Sequence, residues 1–175
     1  VGVIVRFTTN LVAGLAMVAA ISASGAPARP TAAEFNAEID SIGPVAVLAK
    51  MFETESLESW VSRQIASGST DWLKIAARLR PHSDASLTTL LNSAVAEALV
   101  RAPFRVLPLL ESGVFTPSDS CLPFLSIEDP PEKNLLAVTQ LERTLAPIRS
   151  QRFASIKAAC LVQAKQAREQ IAASR

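Results

Sequence analysis

The sequence predicts an all-α fold: an irregular bundle of seven or eight short-to-medium helices packed as antiparallel hairpins. Three observations carry this expectation. Apolar residues recur three and four positions apart in nearly every segment beyond residue 30. Capping residues, Gly and Pro punctuate those segments at helix-length intervals. Strand-like runs are confined to Val114-Phe115 and residues 122–125, both hemmed in by Pro or Gly.

Each helix has its own signals. Thr31 with Glu34 forms a capping-box pattern, and Phe35 and Ile39 then share a face. Gly43-Pro44 ends that segment, and Pro44 suits the first turn of the next, where no N–H is lost. Val45, Leu48 and Phe52 are the predicted inward stripe of this second helix. A helix over 54–67 follows, with Leu57, Trp60, Val61 and Ile65 inward and Gly68 as its end. Ser69 or Thr70 caps a short helix with Trp72, Leu73, Ile75, Ala76 and Leu79 as core positions, stopped by Pro81. Both tryptophans therefore read as core anchors.

Ser83 or Asp84 opens a longer helix to about Arg101, with Leu87, Leu90, Leu91, Ala94, Val95, Ala98 and Leu99 on its broad apolar face. Pro103 begins a short piece, 104–111, that Pro108 should kink or shorten. Residues 112–131 read as a long irregular connection, tied down by Phe115, Leu122 and Phe124. Pro131-Glu132 starts a helix through Leu145, using Leu135, Val138, Leu141 and Leu145. The last helix is predicted over 148–173, with Phe153, Ile156, Cys160, Ala164, Ala167 and Ile171 inward. Pro44, Val47, Leu48 and Met51 are echoed by Pro103, Val106, Leu107 and Leu110 at a constant offset of 59. That echo keeps a short α-solenoid as the alternative architecture.

The chain has 175 residues, 49% of them hydrophobic, which suits one folded domain and excludes a disordered chain. The first stretch is different. Residues 1–28 contain one charge, Arg6, and residues 11–21 (LVAGLAMVAAI) are an unbroken apolar run. A bilayer span needs roughly 20 apolar residues, so this run is too short to cross. A basic start, an apolar middle and small residues beyond it form the pattern of a secretory signal peptide. Ala26-Pro27-Ala28 and Ala23-Ser24-Gly25 are the candidate cleavage regions. The expected organisation is a signal peptide over 1–28 and a single helical domain over 29–175, periplasmic or secreted from a bacterial cell.

Processing removes Arg6 and leaves sixteen basic against sixteen acidic side chains, which disfavours nucleic acid as a partner. After processing no segment remains for a membrane. The charges are unevenly placed. Residues 29–66 carry Arg29, Lys50 and Arg63 against six acids, and residues 143–175 carry seven bases against Glu169 alone. Arg149, Arg152, Lys157, Lys165 and Arg168 are the candidate interaction surface on the last helix.

Cys121 and Cys160 are the only cysteines. An oxidising compartment pairs two such cysteines, pinning the Pro-rich connection to the last helix. Loop closure of that size contributes roughly 3–4 kcal/mol. Catalytic material is scarce. His82 is the only histidine; with Asp84 it is the sole acid–base candidate, and it reads more simply as a neighbour of the Ser83-Asp84 cap. No G-x-S-x-G, dinucleotide fingerprint, P-loop or calcium loop occurs, so no cofactor or metal is expected.

The run Trp72-Leu73-Lys74-Ile75-Ala76-Ala77-Arg78-Leu79-Arg80-Pro81, then Asp84-Ala85, Pro103-x-x-Val106-Leu107, Cys121-Leu122-Pro123-Phe124 and Cys160-Leu161 resembles a group of small exported proteobacterial proteins of unassigned function. The resemblance spans residues 43–162. It implies a signal peptide, a helical domain and two cysteines, and no activity. In build the chain is also loosely similar to small disulfide-bearing helical immunity proteins. The expectation is a non-enzymatic binding protein with an unknown protein partner, inhibitor-like or immunity-like. A helical accessory protein for a small apolar ligand is the alternative.

Overall fold

A computed structural model describes residues 29–123, 125 and 129–173. The expected export signal and Phe124 lie outside the described residues. Those described are helical with no strand, so the all-α class holds.

Helix α1 (Ala32–Ile42) starts from the predicted capping box. The Thr31 N–H donates to Glu34 Oε2 at 2.7 Å, and the Glu34 N–H donates to Thr31 Oγ1 at 3.3 Å. The Thr31 backbone N–H, with its hydroxyl, holds the Glu34 carboxyl below its ordinary pKa. Gly43, at φ +84°, turns the chain directly into α2 (Pro44–Glu53). Helix α3 (Glu55–Ala66) ends as expected at Gly68, whose φ is +75°. Helix α4 (Thr70–Leu79) buries all five residues assigned to its core. Trp72 meets Trp60 edge to face at 5.0 Å and Phe35 at 5.6 Å, so both tryptophans anchor the packing of α1, α3 and α4.

Pro81 sits within a single 3-10 turn, Arg80–His82, that follows α4. Asp84, not Ser83, caps α5 (Ala85–Arg101), its carboxylate accepting from the Leu87 N–H at 2.9 Å. Helix α6 (Pro103–Glu111) runs nine residues with Pro108 inside it. The connection 112–131 is less irregular than expected, because Pro117–Ser120 forms a one-turn helix, α7. Pro at the first position favours that turn by fixing φ where no N–H bond is required. Helix α8 (Pro131–Leu145) follows.

The last helix also departs from expectation. Helix α9 (Ala154–Ala173) begins six residues later than 148, after a 3-10 turn at Gln151–Phe153. Ser150 is extended, with Ile148 and Phe153 buried on either side of it. Burying both residues sets the path here, and one continuous helix does not satisfy it. The α9 stripe is otherwise as predicted: Ile156, Cys160, Ala164, Ala167 and Ile171 are buried.

One continuous core runs from Phe35 in α1 to Ile171 in α9. Helices α8 and α9 form an antiparallel hairpin, since Lys157 reaches Ala146 while Arg168 reaches Glu142 and Thr139. The heaviest packing elsewhere skips a helix: α3 lies on α5, and their C-terminal ends meet. Cys121 and Cys160 are fully buried and disulfide-bonded, with Cα atoms 5.3 Å apart, joining the residue after α7 to α9. Beside them, Asn92 and Ser120 carry polar groups into the interior.

Candidate functional site

Helix α2, PVAVLAKMFE, has only two polar side chains, Lys50 and Glu53. A helix that is apolar nearly all round has more hydrophobic surface than one neighbouring layer covers. Two overlapping stripes compete on it: Val45, Leu48 and Phe52, and Val47, Leu48 and Met51. Both obey helical spacing. The fold buries the second stripe, turning Val47, Leu48 and Met51 toward α1, α3 and α4. This corrects the sequence expectation. Leu48 is inward, but Val45 is 64% exposed and Phe52 is 61% exposed.

Val45, Ala49 and Phe52 fall within an arc of about 60° at 100° per residue. All three are exposed. Ile42, the last residue of α1, is 50% exposed just before this arc begins. The other large exposed apolar residues, Phe104, Leu136 and Val162, are single positions on three different helices. Scattered exposed residues need no explanation, whereas Val45, Ala49 and Phe52 share one face of one helix.

Of the charged residues over 50–63, three acids and one base have no ion-pair partner among the described residues. Lys50 is already paired with Glu38 at 2.5 Å. Arg63 donates to the Ser59 hydroxyl, at 2.5 Å. Glu53, Glu55 and Glu58 have no ion-pair partner among the described residues. Glu55 and Glu58 sit in the first turn of α3, where a helix dipole favours acids. Glu53 is different. It ends α2, where the dipole disfavours an anion. It also directly precedes Thr54, the N-cap of α3, where the dipole of that helix favours an acid.

The five cationic residues proposed from sequence face several neighbours. Arg152 forks onto Glu111 of α6, with Nε 2.8 Å from Oε2 and 3.0 Å from Oε1. Hydrogen bonding by Arg152 pulls the Glu111 carboxyl below its ordinary pKa, and the same bond raises the Arg152 pKa. Lys157 donates to the carbonyls of Ala146 and Ile148 at 3.0 and 2.9 Å, closing the end of α8. Lys165 lies 3.9 Å from Glu169, and Arg168 lies 2.6 Å from Glu142. Arg149 is exposed, with no ion-pair partner among the described residues.

His82 is exposed at the end of its 3-10 turn. The Asp84 carboxylate beside it serves the α5 cap. Among the described residues no group of three or more His, Cys, Asp or Glu side chains could hold a metal ion. No helix among them is long and apolar enough to cross a membrane.

A cavity of about 620 Å³ lies between α5 and α8, beside Pro123 and Leu125. Its walls carry two ion pairs, Arg101 with Glu97 at 3.4 Å and Lys133 with Asp129 at 2.7 Å. Arg143 lines it as well, with no ion-pair partner among the described residues. The chain matches no protein-family description, no curated protein and no solved structure with which it was compared.

Proposed function

We propose that the chain is an exported, non-enzymatic interaction protein, periplasmic or secreted, that uses its helical scaffold to present α2 to a protein partner. The exposed stripe of Val45, Ala49 and Phe52 carries this reading. Export is supported by the signal-like sequence over 1–28 and by the buried Cys121–Cys160 pair, which suits an oxidising compartment. A protein fits better than nucleic acid, because the acids beside the stripe repel phosphate. An inhibitor or immunity role belongs to this class.

Photocrosslinking in intact cells tests the reading. A photoreactive residue at Ala49 should capture one defined product, and the same residue at Lys165 should not. No product at Ala49, or identical products at both positions, would sink it.

Ala96, Val100, Pro123, Leu125 and Ala137, in the wall of the cavity between α5 and α8, support a second reading, a carrier of a small apolar ligand. Native mass spectrometry of protein from its own host should then show a retained mass. A clean unliganded spectrum would remove that alternative.

A further inference from the structure

The geometry points to an amphipathic, basic helix as the segment that seats on α2. This deepens the interaction reading above and rests on it. The exposed stripe spans eight residues of helix, Val45 to Phe52, about 10 Å at 1.5 Å per residue, or two turns. Its apolar groups follow one ridge, and a ridge is covered best by a second helix packed at about 8–10 Å. A partner helix with apolar residues at i, i+3 or i+4 and i+7 presents the matching surface.

Charge selects among occupants of that shape. Glu53 follows Phe52, Glu55 and Glu58 lie in the first turn of α3, and none of the three has an ion-pair partner among the described residues. Lys50, the nearest base on α2, is held by Glu38. A second copy of this face would bring three more acids without an ion pair against one such base, Arg63, so self-association through α2 is disfavoured. An anionic lipid surface would be repelled for the same reason. A helix with Lys or Arg beyond its apolar residues would cover the stripe and complete the ion pairs together.

Two synthetic Leu-rich amphipathic helices of equal length provide the probe, one with a Lys polar face and one with a Glu polar face. The full chain is titrated into each labelled peptide and followed by fluorescence anisotropy. The Lys peptide should bind, and its affinity should fall as salt rises. Phe52→Ser should weaken it by about tenfold or more, and so should Glu53→Gln with Glu55→Gln and Glu58→Gln. The Glu peptide should not bind. Phe52→Ser keeps every charge, so it separates seating on α2 from general attraction to an acidic protein. Unchanged circular dichroism shows that each variant is folded. Failure of the Lys peptide to bind, equal binding of both peptides, or binding indifferent to Phe52→Ser would overturn the inference. So would a dimer in sedimentation that Phe52→Ser dissolves, or binding to anionic vesicles that it abolishes. If crosslinking at Ala49 captures a partner while the Lys peptide fails, the interaction face stands and the basic-helix assignment falls.

Discussion

The Ser120 hydroxyl donates to the Asn92 side-chain carbonyl at 3.3 Å, inside the core and one residue from Cys121. The same carbonyl accepts from Arg80 Nε at 3.0 Å. One buried amide thus ties α5 to α7 and to the 3-10 turn after α4. Asn92→Ala should cost about 2–3 kcal/mol, because it leaves the Ser120 hydroxyl and a guanidinium N–H without their acceptor. Ser120→Ala should cost less, about 1 kcal/mol, since Asn92 keeps Arg80. Urea unfolding of both variants checks the order.

Gly68 and Ala102 mark where the ends of α3 and α5 meet. A Cβ at Gly68 would lie 2.6 Å from the Ala102 Cβ, while one at Gly113 would meet nothing within 4 Å. Both glycines have positive φ. Gly113→Ala should cost only the backbone strain, about 1–2 kcal/mol. Gly68→Ala should cost that plus overpacking, about 1–3 kcal/mol more. The difference in denaturant midpoint between the two variants reads the clash directly.

The inverted face of α2 gives a sharper pair. Met51 is fully buried and its neighbour Phe52 is mostly exposed. Met51→Ala should destabilise by about 2–5 kcal/mol. Phe52→Ser should change stability by no more than about 0.5 kcal/mol. Equal losses would show that Phe52 belongs to the core after all.

Removing the cystine with Cys121→Ser and Cys160→Ser should cost about 3–4 kcal/mol, by restoring chain entropy to the unfolded state. Peptide mapping without reductant should recover residues 121 and 160 in one linked product. Two free thiols in protein from an oxidising compartment would contradict the pairing.

The Glu111–Arg152 fork should leave a mark on the pH profile. Hydrogen bonding to Arg152 depresses the folded pKa of Glu111 below its ordinary value of 4.5. The unfolded chain therefore binds this proton more readily. The stabilisation is present above about pH 4.5 and is lost as pH falls through the lower folded value. Glu111→Gln should lower Tm at pH 7, and the gap from the parent protein should narrow as pH drops below 4. A gap that widens in acid would refute the assignment. Salt should shrink the gap as well, because the pair is exposed to solvent.

Much of the helical order is readable from residues alone. Helix α4 shows why. Its five apolar positions form one dominant stripe, so only one face can be buried, and that face is the one observed. The capping box at Thr31 and the stop at Gly68 are equally local, since a cap depends on residues within one turn. The short helix α7 was not legible, because four residues carry no periodicity. Asn92 was not legible as a core residue, because its burial depends on partners 12 and 28 positions away.

The candidate site was the least legible part. The basic residues near the C-terminus stand out in composition, yet Arg152, Lys157, Lys165 and Arg168 all meet groups within this chain. Composition counts charges and cannot say what faces them. On α2 the local signal is ambiguous in a specific way. Val45-Leu48-Phe52 and Val47-Leu48-Met51 are both sound helical stripes, and periodicity weighs them equally. A faint clue was present in the near absence of polar residues on α2, which exceeds what one buried face requires.

The amino-acid sequence by itself determined the all-α class, most helix boundaries, the inward stripes of α4 and α9 and the candidates for cysteine pairing. These follow from spacing, caps and turn residues, which act over a few positions. The tertiary structure alone decided which stripe of α2 is buried, where Asn92 finds its partners, and which charges remain unpaired. Those outcomes depend on how α1, α3 and α4 close around one side of α2, and burial is a property of the neighbours as much as of the residue.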